Sequence, residues 1–423
     1  MRALVNIKKL VSREFIRHTA TLISGNIIAQ AISLLIYPVL TRLYSPDDFG
    51  VFNLFLSIGG CIVILSTGAF HYSIILPKQE KDSLTCVRLC AYCIIIATLI
   101  SLLPAFFKTF TADLFNTTDL ADSLIYLPLF VLSGGLWSCI NYWFIRQKSF
   151  KHIAEYQITL NASNSGLKTV FGIIQSGYGL IIGTIIGQIT AISISLIHCK
   201  KYFKSFFKYG NFSELRQTAS KYADFPRYAL PRNLINYFGS NLLVLLLSPY
   251  FGMAKIGIFG MAIALSMRPI ILINNALSQT ITQKISYCIK EHTSAVPMIK
   301  KYFKYSIPTI IVGFGVLYLV LPATCSWLLG ETWRDAGEYI RLMLPWLACL
   351  LWFYPFSCIP DILNKQRTDM LFEITITVVR VMAIIIGIAI NDFYVTILLY
   401  SLLSSLIIII RGFWFFKLAK TCT

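Results

Sequence analysis

The chain has 423 residues, 56% of them hydrophobic and only 13% charged, and it carries a formal net charge of +18. That balance lies outside the usual mix of soluble globular domains and places the chain in a lipid bilayer. A basic excess of this size would suggest nucleic acid in a soluble protein; here it faces the anionic inner leaflet instead, and no nucleic-acid partner is expected.

Apolar runs of about twenty residues, enough to cross roughly 30 Å of hydrocarbon, recur from end to end. In chain order they run Thr21 to Leu43, Phe49 to Leu76, Val87 to Phe107, Ser123 to Ile145, Ile153 to Ser176 and Gly179 to His198. The series continues with Leu230 to Tyr250, Gly257 to Gln283, Tyr302 to Leu321, Tyr339 to Ile359, Met370 to Ile390 and Tyr394 to Phe416. The expected fold class is therefore all-α, a polytopic membrane protein with about twelve transmembrane helices. The first run follows a charged, amphipathic start with no small-residue cleavage site, so it reads as a retained helix.

Orientation follows from the basic residues, because positively charged loops stay in the cytoplasm. With the amino terminus inside, the inner segments collect Arg2, Lys8 and Lys9, then Lys148 and Lys151, then Lys200, Lys201, Lys204 and Lys208, and finally Arg411, Lys417 and Lys420. The outer segments hold the acids instead, among them Asp47, Asp48, Asp113, Asp119, Glu331 and Asp335. Both termini are expected in the cytoplasm. The 11 cysteines lie mostly inside apolar runs, and no outer loop carries a pair. Cys86, Cys90 and Cys93 share a helical face and read as buried thiols, so no metal site and no cofactor are expected.

"YSPDDFGVF" from Tyr44 to Phe52 is echoed by "FGMAKIGIF" from Phe251 to Phe259. At one offset, with no gap, Asn26 falls on Asn233, Thr41 on Ser248, Tyr44 on Phe251, Gly50 on Gly257 and Phe52 on Phe259. A weaker echo pairs Gln147, Lys148 and Ser149 with Gln366, Arg367 and Thr368. Two parallel six-helix halves follow, residues 1–210 and 211–423, as in transporters that rock around a central site. The alternative is a chance match between compositionally narrow apolar sequences.

Among the basic residues inside predicted helices are Lys168, Arg232, Arg268 and Arg380. Each costs roughly 2.5 to 3.5 kcal/mol at a helix centre, so each should face protein or water. Arg380 is about ten residues from either helix end, roughly 15 Å, and cannot easily reach a surface. Arg268 is similarly deep, whereas Lys168 and Arg232 are placed to snorkel. Polar stripes accompany them: Gln157, Asn161, Asn164 and Lys168 in the fifth helix, and Asn26, Gln30, Ser33 and Tyr37 in the first. Arg232, Asn233, Asn236 and Ser240 mark the seventh, Arg268, Asn275 and Gln279 the eighth, and Glu373, Thr377 and Arg380 the eleventh. Converging stripes would line a wet, electropositive cavity. The competing reading makes the amides helix–helix adhesive and pairs Arg380 with Glu373.

The blocks "SGNIIAQAISLLIYPVLTRLYSPDDFGVFNLF", "SIILPK", "WFIRQKSFKHIA", "YGLIIGTIIGQI" and "FGMAKIGIFGMAIALSMRPI" resemble those of the Wzx-type oligosaccharide (O-antigen) flippases. That group is in the polysaccharide biosynthesis branch of the superfamily that includes the MATE exporters and the lipid II flippase. The resemblance implies a MATE-like fold and a non-enzymatic carrier in the bacterial inner membrane. Its cargo would be an undecaprenyl-diphosphate-linked oligosaccharide, and its partners membrane lipids, a polysaccharide polymerase and a chain-length regulator. His71, in "GAFHYSIILPK", departs from the Arg or bulkier polar residue that the resemblance leads one to expect.

A diphosphate-linked glycan needs cations for its phosphates and amides for its hydroxyls. Arg380, Arg268, Lys168 and Arg232 supply the first, and Asn161, Asn164, Asn26, Gln30 and Asn233 the second. Glu373 and Glu155 are the candidates for ion coupling. Two other readings stay open. A MATE-like cation-coupled exporter would be expected to carry acids in its cavity, and a membrane glycan polymerase would display a large outer loop or a paired His and acid.

Overall fold

Ser45 stands at the N-terminus of the second helix. Its Oγ accepts from the Asp48 backbone N–H at 3.2 Å, while the Asp48 carboxylate accepts from the Ser45 N–H at 2.8 Å, with Pro46 opening the first turn. This reciprocal cap is the physical meaning of the "SPDD" punctuation. The computed structural model describes residues 25, 27–202, 212–290, 293–294, 296–363 and 365–420. Asn26 lies outside the described residues, as do the side chains of Gln279 and Lys201.

The described chain is helical, without strands. Its principal helices are α1 (Ile27–Leu43), α2 (Pro46–Ser66), α3 (Glu80–Ile100), α4 (Leu127–Arg146), α5 (Phe150–Ile173) and α6 (Gly179–Cys199). They continue with α7 (Leu230–Phe251), α8 (Met253–Lys290), α9 (Val296–Leu329), α10 (Arg334–Phe353), α11 (Gln366–Ile390) and α12 (Phe393–Lys420). Ten of these are long and apolar enough to cross a membrane. The exceptions are α1, whose described part is short, and α5, which is too polar along its stripe.

Two spans differ from their sequence expectation. The second stops at Ser66 because Gly68 and Ala69 take left-handed backbone conformations, φ +55° and +60°, and the chain continues as a tight turn over Phe70–Ile75. At 38 residues, α8 is about 57 Å long, well beyond the hydrocarbon thickness, so its Lys284 end extends past the apolar span.

The chain forms two compact units, Met1–Pro249 and Tyr250–Thr423. In the first, α5 and α6 form a hairpin across a short turn closed by Gln175 at φ +57°, and α4 packs on α2, α3 and α6. Leu84, Cys86, Cys90, Ile94, Trp143 and Tyr156 fill a core there, and the described cysteines are free. Cys86 and Cys90 are fully enclosed and act as small apolar groups. The α7 helix joins this unit through Tyr237, whose hydroxyl donates to the Leu56 carbonyl at 3.0 Å. In the second unit, α11 and α12 form a hairpin closed by Asn391 at φ +58°, and α10 packs on α8, α9 and α12.

An aromatic residue stands just before each of α2 and α8. Tyr44, in the turn between α1 and α2, is buried against the start of α6, where a side chain on Gly179 would collide with its hydroxyl. Phe251, the last residue of α7, is buried edge-on against Phe393 at the start of α12, centroids 5.2 Å apart. Burial, with Asp48 adding to it, pushes the Tyr44 phenol up to about 12, so it stays protonated and donates a hydrogen bond to the Lys168 carbonyl at 2.7 Å.

Candidate functional site

Within the first unit, α5 presents its stripe to three neighbours. The Ser33 hydroxyl of α1 donates to Asn161 Oδ1, and Asn161 Nδ2 donates to the Gln157 carbonyl at 2.8 Å. Asn164 faces α6 so closely that a Cβ on Gly187 would collide with its Oδ1, and that oxygen has no hydrogen-bond partner among the described residues. Lys168 lies with Nζ 4.5 Å from the Phe52 ring centroid. Gln30 of α1 is half-buried, and its Oε1 likewise lacks a partner among the described residues. Two buried amide oxygens thus have no partner among the described residues, each at a cost of about 1–3 kcal/mol while unmet. Part of the stripe therefore fastens α5 to α1 and α6, and part leaves acceptors free.

Near the start of α7, Arg232 is exposed and Asn233 Nδ2 donates to the Tyr72 hydroxyl at 2.9 Å. Tyr72 belongs to an aromatic cluster with His71 and Tyr142, at centroid distances of 4.2 and 5.2 Å, and the Thr67 hydroxyl lies 2.6 Å from His71 Nδ1. The departure at His71 thus falls inside a packed polar-aromatic corner next to Asn233. At the end of α4, Arg146 donates to the carbonyls of Pro77 at 2.6 Å and Gln79 at 3.3 Å, holding the α2–α3 connection.

In the second unit, Arg380 donates Nε to Ser404 Oγ at 3.0 Å and lies over the rings of Tyr400 and Trp346, 4.9 and 5.4 Å from their centroids. No carboxylate pairs with it among the described residues. The alternative Arg380–Glu373 pair does not form: Glu373 accepts from Arg411 Nη1, and Arg411 also makes a forked pair with Asp369, both bonds 2.8 Å. Arg268 is half-buried in mid-α8, directly before Pro269. A proline inside a helix frees the carbonyl four residues earlier, here that of Leu265, so the backbone beside Arg268 is polar at that depth.

Sequence reasoning missed three groupings. Ser404, Tyr400 and Trp346 around Arg380 come from helices brought together only by folding. Asp369, Glu373 and Arg411 were readable as charges, but not as partners. The third is His152, Glu155 and His198: Glu155 Oε2 lies 3.3 Å from His152 Nδ1 and 3.3 Å from His198 Nε2. His152 and Glu155 at i,i+3 carry a helical signal, whereas His198 reaches them only through the α5–α6 hairpin.

Ten helices long and apolar enough to cross a membrane, in two compact units that each contain a helical hairpin, make a multi-pass membrane protein. The chain belongs to the polysaccharide biosynthesis protein family, whose model matches residues 39–338. No curated protein matches it. Among solved structures it is similar to the lipid II flippase MurJ in an inward closed conformation, at 15% identity and a TM-score of 0.68, covering 96% of this chain and 90% of that one. It is similar also to an inward-facing multidrug resistance MATE transporter of the MOP superfamily, at 14% identity and 0.63, covering 93% and 95%. A third likeness is to a mutant of the Vibrio cholerae MATE transporter VcmN, at 12% identity and 0.54, covering 98% and 97%. The fold is the MATE-like one.

Proposed function

We propose that this protein is a flippase that carries undecaprenyl-diphosphate-linked oligosaccharide units from the inner to the outer leaflet of the bacterial inner membrane by alternating access, for O-antigen or another surface polysaccharide. The observation that carries the reading is Arg380: a guanidinium in mid-helix, held by a hydroxyl and two aromatic faces rather than by a carboxylate. Such a group keeps its charge and its fork for an anionic ligand. Arg380, Arg268, Lys168 and Arg232 take the diphosphate or acidic sugars. Asn161, Asn164, Asn26, Gln30 and Asn233 take the sugar hydroxyls, a role supported by the oxygens of Gln30 and Asn164 that lack a partner among the described residues. Glu373 and Glu155 are the carboxylates proposed for ion coupling.

In this reading the repeated halves are residues 1–210 and 211–423, both termini are cytoplasmic, and the protein works beside a polymerase and a chain-length regulator without being an enzyme itself. The family supports the polysaccharide context, and the fold is shared with a structure described as a lipid II flippase. The competing reading, a MATE-like exporter, draws on the likeness to MATE transporters. The test is surface polymer display in a host lacking its own carrier. The proposal expects Arg268→Ala with Arg380→Ala to abolish display at equal protein abundance; display at the wild-type level would refute it.

A further inference from the structure

The geometry points to a binding site for one transition-metal cation of the zinc class at the open end of the α5–α6 hairpin, held by His152, Glu155 and His198. The three donor atoms, His152 Nδ1, Glu155 Oε2 and His198 Nε2, all lie within 4.8 Å of one another. Helix α5 supplies two of them from adjacent positions on one face, and the last turn of α6 supplies the third.

The spacing of the donors accommodates a cation. Each imidazole nitrogen is 3.3 Å from the same carboxylate oxygen. Charge-assisted N–H···O bonds prefer about 2.7–2.9 Å. Tetrahedral coordination with bonds of about 2.0–2.1 Å sets its ligand atoms roughly 3.3–3.4 Å apart, which is what these pairs show. The two rings are also stacked, centroids 3.9 Å apart and planes 23° from parallel.

The donor set fixes the ion class. One carboxylate is too little oxygen for calcium or magnesium, and the nearby lysines, Lys151 and Lys200, work against any cation held by charge alone. Imidazole nitrogen suits zinc, nickel, copper and cobalt. Side-chain exposures of 30%, 40% and 31% leave the cluster reachable from solution, with room for water as a fourth ligand. A bound ion would tie the first turn of α5 to the last turn of α6. Of the three residues only Glu155 enters the transport proposal, and the site is tested by binding, so the two ideas fail separately.

The experiment is cobalt and zinc titration of the purified full-length protein in detergent, with its purification tag removed. The expected result is about one cobalt per chain with the intense visible bands of four-coordinate geometry, displaced by zinc. His198→Gln and Glu155→Gln should lose the bands while keeping wild-type helicity and elution volume. Zinc should raise the melting temperature of the wild type and not of these variants. Cobalt spectra unchanged in both variants, or no binding by the wild type, would overturn the site. Should His152→Gln fail to fold, His198→Gln on the exposed end of α6 still decides the matter.

Discussion

Arg380 in mid-α11 donates its Nε to the Ser404 hydroxyl of α12 at 3.0 Å, and nothing acidic among the described residues neutralises it. Arg411, two turns further along α12, is instead clamped by Asp369 and touched by Glu373. The same residue type serves two ends on one helix pair: a seam that closes itself, and a charge kept available. Removing the Ser404 hydroxyl should therefore cost stability without removing charge. Ser404→Ala is expected to lower the unfolding free energy by about 1.5–3 kcal/mol, the range for hydrogen bonds to charged groups, measured as a melting shift in detergent. Arg380→Lys should keep the charge, lose the fork and give intermediate polymer display.

The Arg411–Asp369 pair is forked and largely shielded, with side-chain exposures of 14% and 22%. A double-mutant cycle on Arg411→Ala and Asp369→Ala should give a coupling on the order of 1–3 kcal/mol. Exposed pairs such as Lys108–Asp122 should give no more than about 1 kcal/mol.

Tyr44 predicts a graded response. Tyr44→Phe removes one hydrogen bond and should cost about 0.5–1.5 kcal/mol, whereas Gly179→Val drives a side chain into the ring and should cost about 1–3 kcal/mol. The phenol titrates higher in the folded protein than in the unfolded chain. Its contribution is therefore whole below the ordinary tyrosine value of about 10 and fades as pH rises toward about 12. Comparing melting temperatures of wild type and Tyr44→Phe across that window isolates it: the gap between them should narrow.

Arg146 holds the connection that follows α2 by its carbonyls. Arg146→Ala should speed backbone hydrogen exchange from about residue 70 to 80 while leaving α12 unchanged, as local opening is controlled by local contacts.

Element positions were legible in the sequence because a hydrophobic run and its caps are local. The Ser-Pro-Asp-Asp start of α2 is a reciprocal cap, and Tyr44 and Phe251 are both buried. The end of the second span was misread because Gly68 and Ala69 interrupt it without interrupting its hydrophobicity. The stripe on α5 was legible as a face, yet what that face touches is a tertiary matter: Asn161 meets Ser33, and Asn164 meets Gly187. Pairing was the hardest step. Glu373 lies two turns from Arg380 on its own helix but binds Arg411 of the next, since a carboxylate pairs with whichever cation folding brings within reach.

As a flippase, the protein would use its deep basic groups to carry an anionic, lipid-linked glycan across the bilayer. The most direct measurement is leaflet translocation of a fluorescent polyprenyl-diphosphate oligosaccharide in proteoliposomes. Wild-type protein should move it, and the Arg268→Ala, Arg380→Ala double variant, reconstituted at equal density, should move it no faster than empty vesicles. Equal translocation by variant and wild type would contradict the account.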